Sequence, residues 1–480
     1  MQMPKLGVGI VYVPGLEPLL QAGNTCVQVI EVEPQTLWQL VSEKPRRYAL
    51  PPQALEALNR LPQPKIIHSV GFAVGGAQPP EPAFLEALIE TVEVLDAAWV
   101  SEHLSVTHVY SNNKVFHTGF MLPPLHTVDG ALCAAHTMSI LAKQLPVQFA
   151  VETSVNYLRP RNGELSDGRF VAMAVEKADC GILLDLHNIW TNERNGRQNV
   201  RAFLKEIPLD RVWEVHVGGG FEFEGYWLDA HSGVVPERVL ELLEEVLPTL
   251  PNVRALVYEI FPSFVPLFGL DGIEHQLERL KGIWDQCTWP PNDEILEMPA
   301  RPTFISTRDL HVEITPELWE ATLGELVTSG AIGSIEGTLA AELKQDPAVP
   351  LMGNLIWKFR AGAIVKVLGA LTKLVLLHSG QKRFEQLLDG YFRMSKPTSF
   401  ASQEAKGFIC YLRAQNLNMP YLPDILRYEE AAIESAITQK VQCVHFSCDP
   451  IQLLQALIDG HLPDNVESGV YVLEIAPEPA

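Results

Sequence analysis

Short apolar runs recur through the first 285 residues, separated by longer amphipathic stretches. The runs are Leu6–Val13, Val27–Glu33, Lys65–Val70, Ala97–His103, Val147–Glu152, Gly181–Leu186, Arg211–Val217 and Arg254–Glu259. Their nearly unbroken Val, Ile and Leu content suits strands buried on both faces, as in a parallel sheet. Pro82–Leu95, Val128–Lys143 and Pro236–Val246 instead repeat apolar positions at helical spacing. Eight such strand and helix units in succession predict a closed (β/α)8 barrel of the TIM type over residues 1–285.

The pattern breaks after Trp284. The stretch CTWPPNDEILEMPARPTF is proline-rich and aperiodic, so residues 286–314 read as a connection. Helical periodicity then returns in Pro316–Val327, Ile356–Leu377, Arg383–Tyr391, Ser402–Ala414 and Leu422–Ile437, with strand-like runs at Val441–Phe446 and Val470–Ile475. Residues 315–480 therefore predict a smaller, mostly helical α+β domain.

Composition narrows the functional classes. A chain of 480 residues, 47% hydrophobic and 20% charged, has enough apolar material for two cores. A net charge of −22 argues against nucleic acid, whose phosphates call for clustered Lys and Arg. No apolar run reaches the length of a membrane span, and the opening residues lack the pattern of an export signal. Seven scattered cysteines do not form a disulfide framework, which points to a reducing cytoplasm.

The chemistry lies at the strand ends, where barrel enzymes build their active sites. Those positions carry His68, Glu102 and His103, Glu152, Asp185 and His187, His216, and Glu259, and the loop after the seventh strand adds Asp229 and His231. One His or Glu in such a place is more often a structural hydrogen-bonding group than a ligand. Six successive strands delivering such groups to one rim reverse that judgement. Five histidines and five carboxylates exceed what one ion needs, and the mixture suits Fe, Mn or Zn. Glu102 and His187, beside better-placed neighbours, read as supporting groups or additional ligands, together with Asn188. The Gly218–Gly220 run reads as a turn, since no nucleotide-binding glycine pattern surrounds it.

The succession HSVG, SEHLS, ET followed by Asn156, LLDLHN, HVGG, D-x-H at Asp229–His231 and the terminal Glu259 resembles the multinuclear non-haem iron-dependent oxidases, which include the iron enzyme of methanobactin biosynthesis. That resemblance covers about residues 5–285. It implies a xylose isomerase-like barrel, two or three iron ions (Fe2+/Fe3+) with dioxygen as co-substrate, and oxidation of a residue, cysteine above all, in a ribosomally made precursor peptide. Ligation carries over to His68, His103, Glu152, Asp185, His216, Asp229, His231 and Glu259. The chain departs from the family's pattern at Thr153, His187 and Gly220. Residues from about 315 onward resemble the family's small partner protein, which implies a peptide-recognition unit fused in one chain. Tyr391, Arg393, Tyr421 and Arg427 are its candidate peptide contacts. Read from the residues alone, two other classes stay open: a divalent-metal isomerase or hydrolase on the same barrel, and a metal-storage or peptide-carrier protein.

Overall fold

The computed structural model describes residues 3–21, 26–43, 45–289, 314–328, 337–415, 417–463 and 465–477. All eight expected strands form. They are β1 (Gly7–Val11), β2 (Val29–Val32), β3 (Lys65–Ser69), β4 (Trp99–His103), β5 (Gln148–Glu152), β6 (Gly181–Asp185), β7 (Val212–Gly218) and β8 (Ala255–Glu259). Each pairs in parallel with the next, and β8 returns to β1, so the sheet closes without an edge. Strands β1, β6 and β8 are buried along their whole length, which is why their sequences run apolar without alternation.

The intervening helices carry their own boundary chemistry. Thr127 caps Val128–Ala142 by accepting the Gly130 N–H, and Asp96 and Asp179 end Pro82–Leu95 and Asp167–Ala178 in the left-handed conformation. The eight parallel pairings fix the strand ends that bear the functional groups in one register: His103 lies opposite Glu152, Asp185 opposite His216, and Gly218 opposite Glu259.

By compactness the chain divides into two units that do not follow one another in sequence. One comprises Met1–Trp38, Tyr48–Val106 and Leu122–Ala321; the other comprises Gln39–Arg47, Thr107–Met121 and Thr322–Ala480. The second unit thus draws in Gln39–Arg47 and Thr107–Met121, the larger part of two hairpins encoded between barrel strands, Gln39–Glu43 with Arg46–Ala49 and Val106–Ser111 with Lys114–Leu122. The latter turns at Asn112 and Asn113, both at positive φ as a tight hairpin turn requires. Sequence periodicity overlooked both.

The rest of the second unit is helical apart from the antiparallel pair Gln442–Cys448 and Ser468–Ile475. Its core gathers Leu371, Leu374, Phe384, Leu388, Phe408 and Ile425. The single helix expected over Ile356–Leu377 is in fact two, Ala348–Val367 and Gly369–Ser379, bent by 105° at Leu368. Apolar residues on either side of the bend masked it, because buried Leu368 and Leu371 continue the hydrophobic pattern through the break. The expected connection at residues 286–314 lies almost wholly outside the described residues. Among the described residues, no single helix is long and apolar enough to cross a membrane.

Candidate metal centre

Parallel strands in a closed barrel all present their C-terminal ends at the same rim, so one residue from each can meet at the centre. Here His68 (β3), His103 (β4), Glu152 (β5), Asp185 (β6), His216 (β7) and Glu259 (β8) do so. Two groups of donor atoms lie within 4.8 Å of one another: His68 with His103 and Glu152, and Glu152 with Asp185, His216 and Glu259. Glu152 belongs to both. Its Oε2 is 2.6 Å from His103 Nδ1 and 3.2 Å from His68 Nε2, while its Oε1 accepts the Asn188 amide at 3.2 Å.

On the far side, His216 Nδ1 approaches Glu259 Oε1 at 3.2 Å, and His231 Nε2 lies 2.7 Å from Glu259 Oε2 and 3.2 Å from Asp229 Oδ1. Asp229 closes a third hairpin, Gly220–Phe223 with Tyr226–Asp229, that leads out of β7. Both Gly218 and Gly220 are needed there. A Cβ on Gly218 would fall 2.6 Å from the His231 ring, and one on Gly220 2.3 Å from the Leu228 carbonyl and 2.9 Å from His187 Nε2. The glycine run is therefore a cradle for two histidines, where sequence alone reads a turn. His231 itself sits at φ 41°, a backbone strain of the kind held at functional sites.

Several of these buried atoms lack any hydrogen bond: Glu152 Oε2, Asp185 Oδ2, His216 Nδ1, His231 Nε2 and Glu259 Oε2. Orphaned donors and acceptors are costly in a closed interior. Cations seated among them would give these atoms partners, so the donor set fits divalent metal. The electrostatics agree. Burial, reinforced by the charges of Asp229, Glu152 and Glu259, pushes Asp185 well above the usual carboxyl range. Burial alone would depress His68, yet Glu152 beside it carries the ring up to about 10. Burial likewise opposes ionisation of Glu259, and His231 and His216 more than reverse it.

The supporting residues have definite partners. Glu102 turns away from the cluster: it accepts the Ser69 hydroxyl at 2.6 Å, the Phe72 N–H at 3.1 Å and the His103 N–H at 2.8 Å. Replacing it, Glu102→Ala, should cost about 1–3 kcal/mol of stability by orphaning those donors, with metal content unchanged. Denaturant melts and metal analysis check this; lost metal would make Glu102 a ligand.

His187 opens the helix Leu186–Arg194, so helix geometry rather than strand alternation sets its direction. Its Nε2 accepts the Trp227 indole N–H at 3.1 Å, and its Nδ1 lies 3.1 Å from Asp229 Oδ1. Asn188 also donates to the Thr153 carbonyl, and Thr153 Oγ1 accepts the Asp185 N–H at 3.0 Å.

Sequence reasoning missed two residues. Glu31 on β2 and Glu214 on β7 are fully buried and form a further group with His216. Glu31 Oε2 lies 3.0 Å and Glu214 Oε1 3.5 Å from His216 Nε2. Burial pushes Glu31 up to about 8. The signal was present in WEVHVGG, since residues two apart on a strand face the same way.

The four candidate peptide contacts all belong to the second unit. Tyr391 is a core residue whose hydroxyl donates to the Glu404 carbonyl at 3.3 Å. Arg393 is exposed, and Tyr421 packs against the core half-buried. Arg427 is engaged by Asp424 and donates to the His445 carbonyl at 3.0 Å.

Residues 7–260 match the family model described as RiPP precursor modification enzyme MbnB/TglH/ChrH. A UPF0276 protein of Streptomyces avermitilis is 31% identical over 217 residues, covering 44% of this chain and 45% of that protein. Another, from Anaeromyxobacter sp., is 27% identical over 230 residues, covering 48% and 80%. The chain thus spans under half the length of the Streptomyces relative. Among solved structures, a D-psicose 3-epimerase from Clostridium cellulolyticum H10 matches 58% of this chain and 96% of its own at 13% identity and a TM-score of 0.36, too distant to bear on chemistry.

Proposed function

Since the chain belongs to the MbnB/TglH/ChrH family of RiPP precursor modification enzymes, we propose that it holds two or three iron ions at the barrel rim and, with dioxygen, oxidises a residue of a precursor peptide, cysteine being the chemically favoured one. The observation that carries this reading is the convergence of histidine and carboxylate groups from six strands at one rim, where buried atoms of Glu152, Asp185, His216, His231 and Glu259 lack any hydrogen bond.

Glu152 would bridge two positions, with His68 and His103 on one side and Asp185, His216 and Glu259 on the other. Asp229 and His231 would complete the outer side. Bound iron would supply a redox-active, thiophilic centre through which electrons pass from the peptide thiolate to dioxygen. The protein's own part is to keep the donors fixed and dry. Asn188 holds Glu152, Thr153 holds the Asp185 backbone, and His187 with Trp227 holds Asp229. A pocket that recognised only a thiol would also oxidise free cysteine, so selectivity should come from remote peptide contacts. The second unit is the candidate for them, through its exposed surface rather than Tyr391.

The test is metal analysis of anaerobically purified, iron-supplemented protein, followed by incubation with a cysteine-containing peptide encoded beside the gene and with dioxygen. More than one iron per chain is expected, with a change in peptide mass and oxygen uptake that depends on peptide. Stoichiometric zinc with no activity restored by iron would replace this reading with a hydrolase or isomerase.

A further inference from the structure

Beneath the rim, the barrel interior holds two carboxylates that the proposed reaction does not use. Glu31 and Glu214 are both completely shielded from solvent, as is His216 between them. Two such carboxyl groups in a barrel core are expensive unless they have a function or a partner. Glu214 Oε2 accepts the Trp99 indole N–H at 2.8 Å, which fixes that carboxylate and leaves its Oε1 facing His216. Glu31 reaches the same nitrogen from a strand three places round the barrel, with both its oxygens otherwise unbonded. His216 Nε2 lies between the two acceptors and in line with neither, while its Nδ1 faces Glu259 and the upper donor group.

We infer that Glu31 and Glu214 are positioning residues: a carboxylate clamp that grips His216 from behind, keeps the proton on Nε2 and turns the Nδ1 lone pair toward the metal centre. The inference rests on the metal-centre reading above. The reason for the clamp is tautomeric. A neutral imidazole binds metal through one nitrogen only if its proton stays on the other, and a carboxylate accepting that proton's hydrogen bond also makes the ring a stronger donor. Trp99 extends the chain of contacts one step further, so the order is Trp99, Glu214, His216, metal centre. Glu31 supplies the second arm. Two arms hold the ring against rotation about its Cβ bond, which one acceptor cannot do.

The experiment uses the full chain loaded anaerobically with Co2+ as a visible probe, titrated against a competing chelator. Wild type is compared with Glu31→Gln, which keeps an acceptor and removes the charge, and with Glu31→Ala, which removes both. Affinity is expected to fall about 10-fold in the first and toward 100-fold in the second, the range typical of partners behind a metal ligand. The Co2+ absorption bands should move while the number of ions per chain stays the same. Glu214→Gln and Trp99→Phe provide a second pair of variants should the Glu31 changes fail to fold, and both should weaken binding in the same direction. Unchanged affinity and unchanged bands in the folded variants overturn the clamp, as does the loss of one whole ion per chain, which would make the pocket an ion site in its own right. A wild-type chain that takes up neither Co2+ nor Fe2+ overturns the metal-centre reading and the clamp together.

Discussion

Glu152→Ala should empty the metal centre while leaving the barrel folded. Of the donors in the two rim groups, Glu152 is the one that contributes to both. Its loss leaves His68 and His103 facing each other with Nε2 atoms 3.0 Å apart and no anion between them, and it takes one carboxylate from the group of Asp185, His216 and Glu259. Binding at each position should weaken by at least about 10-fold, the lower end of what even an outer partner of a ligand costs. Iron per chain should therefore fall steeply, and turnover with it. The far-UV circular dichroism should persist, because barrel stability lies in the packed interior and lower face.

Metal-free protein gives an independent check on the same residue. With His68 raised to about 10 by Glu152, the pairing supports the fold fully below the ordinary histidine value and loses that support as pH rises through about 10. Metal-free wild type should lose stability over that interval, and Glu152→Ala should lose correspondingly less. Retention of full iron content by the variant would remove Glu152 from the centre.

Arg360→Met should destabilise the second unit by about 3–5 kcal/mol and leave metal content unchanged. Arg360 is buried, and its guanidinium pairs with buried Glu404 at 2.6 Å while donating to the Ser395 carbonyl at 3.0 Å and the Ser395 hydroxyl at 2.8 Å. Glu404 in turn accepts the Thr398 N–H and hydroxyl. Removing the cation strands a carboxylate in a closed interior. Replacing both partners is a different matter: Arg360→Met with Glu404→Leu should recover most of the loss, since desolvating the ion pair offsets much of its attraction. Denaturant melts of the two variants decide this. If the double variant is no more stable than the single, the pair is worth more than its desolvation costs.

The barrel was legible because each strand is an apolar run with both faces buried, and such a run needs no alternation to be recognised. The strand-end groups were legible for a related reason: a charged residue closing an apolar run stands out, as Asp185 does after GILL and Glu259 after ALVY. Glu31 and Glu214 did not stand out, because they sit within their strands and there read as interruptions of the apolar pattern. His187 follows Asp185 by two residues, but the chain has already turned into a helix at Leu186, so the period used to orient it no longer applied. The hairpin at Asn112–Asn113 was missed although Asn-Asn between alternating residues is a turn signal; its strands carry His, Tyr, Lys and Thr and lack a solid apolar face.

The two hairpins drawn into the second unit have a consequence for synthesis on the ribosome. Residues 39–47 and 107–121 emerge early, yet what they pack on is made late: Val109 meets Gly324, Phe120 meets Phe359, and Gln39–Glu43 lies against the helix Leu422–Thr438. At about 5–20 residues per second the earliest of these segments waits on the order of tens of seconds for its partner. Until Gly324 is made, Val109, which ends with no exposed surface, lacks that neighbour. A nascent barrel can close around β1 to β8 and still carry two unfinished edges, so the hazard of misassociation lies in these arms and passes only when the last helices leave the exit tunnel.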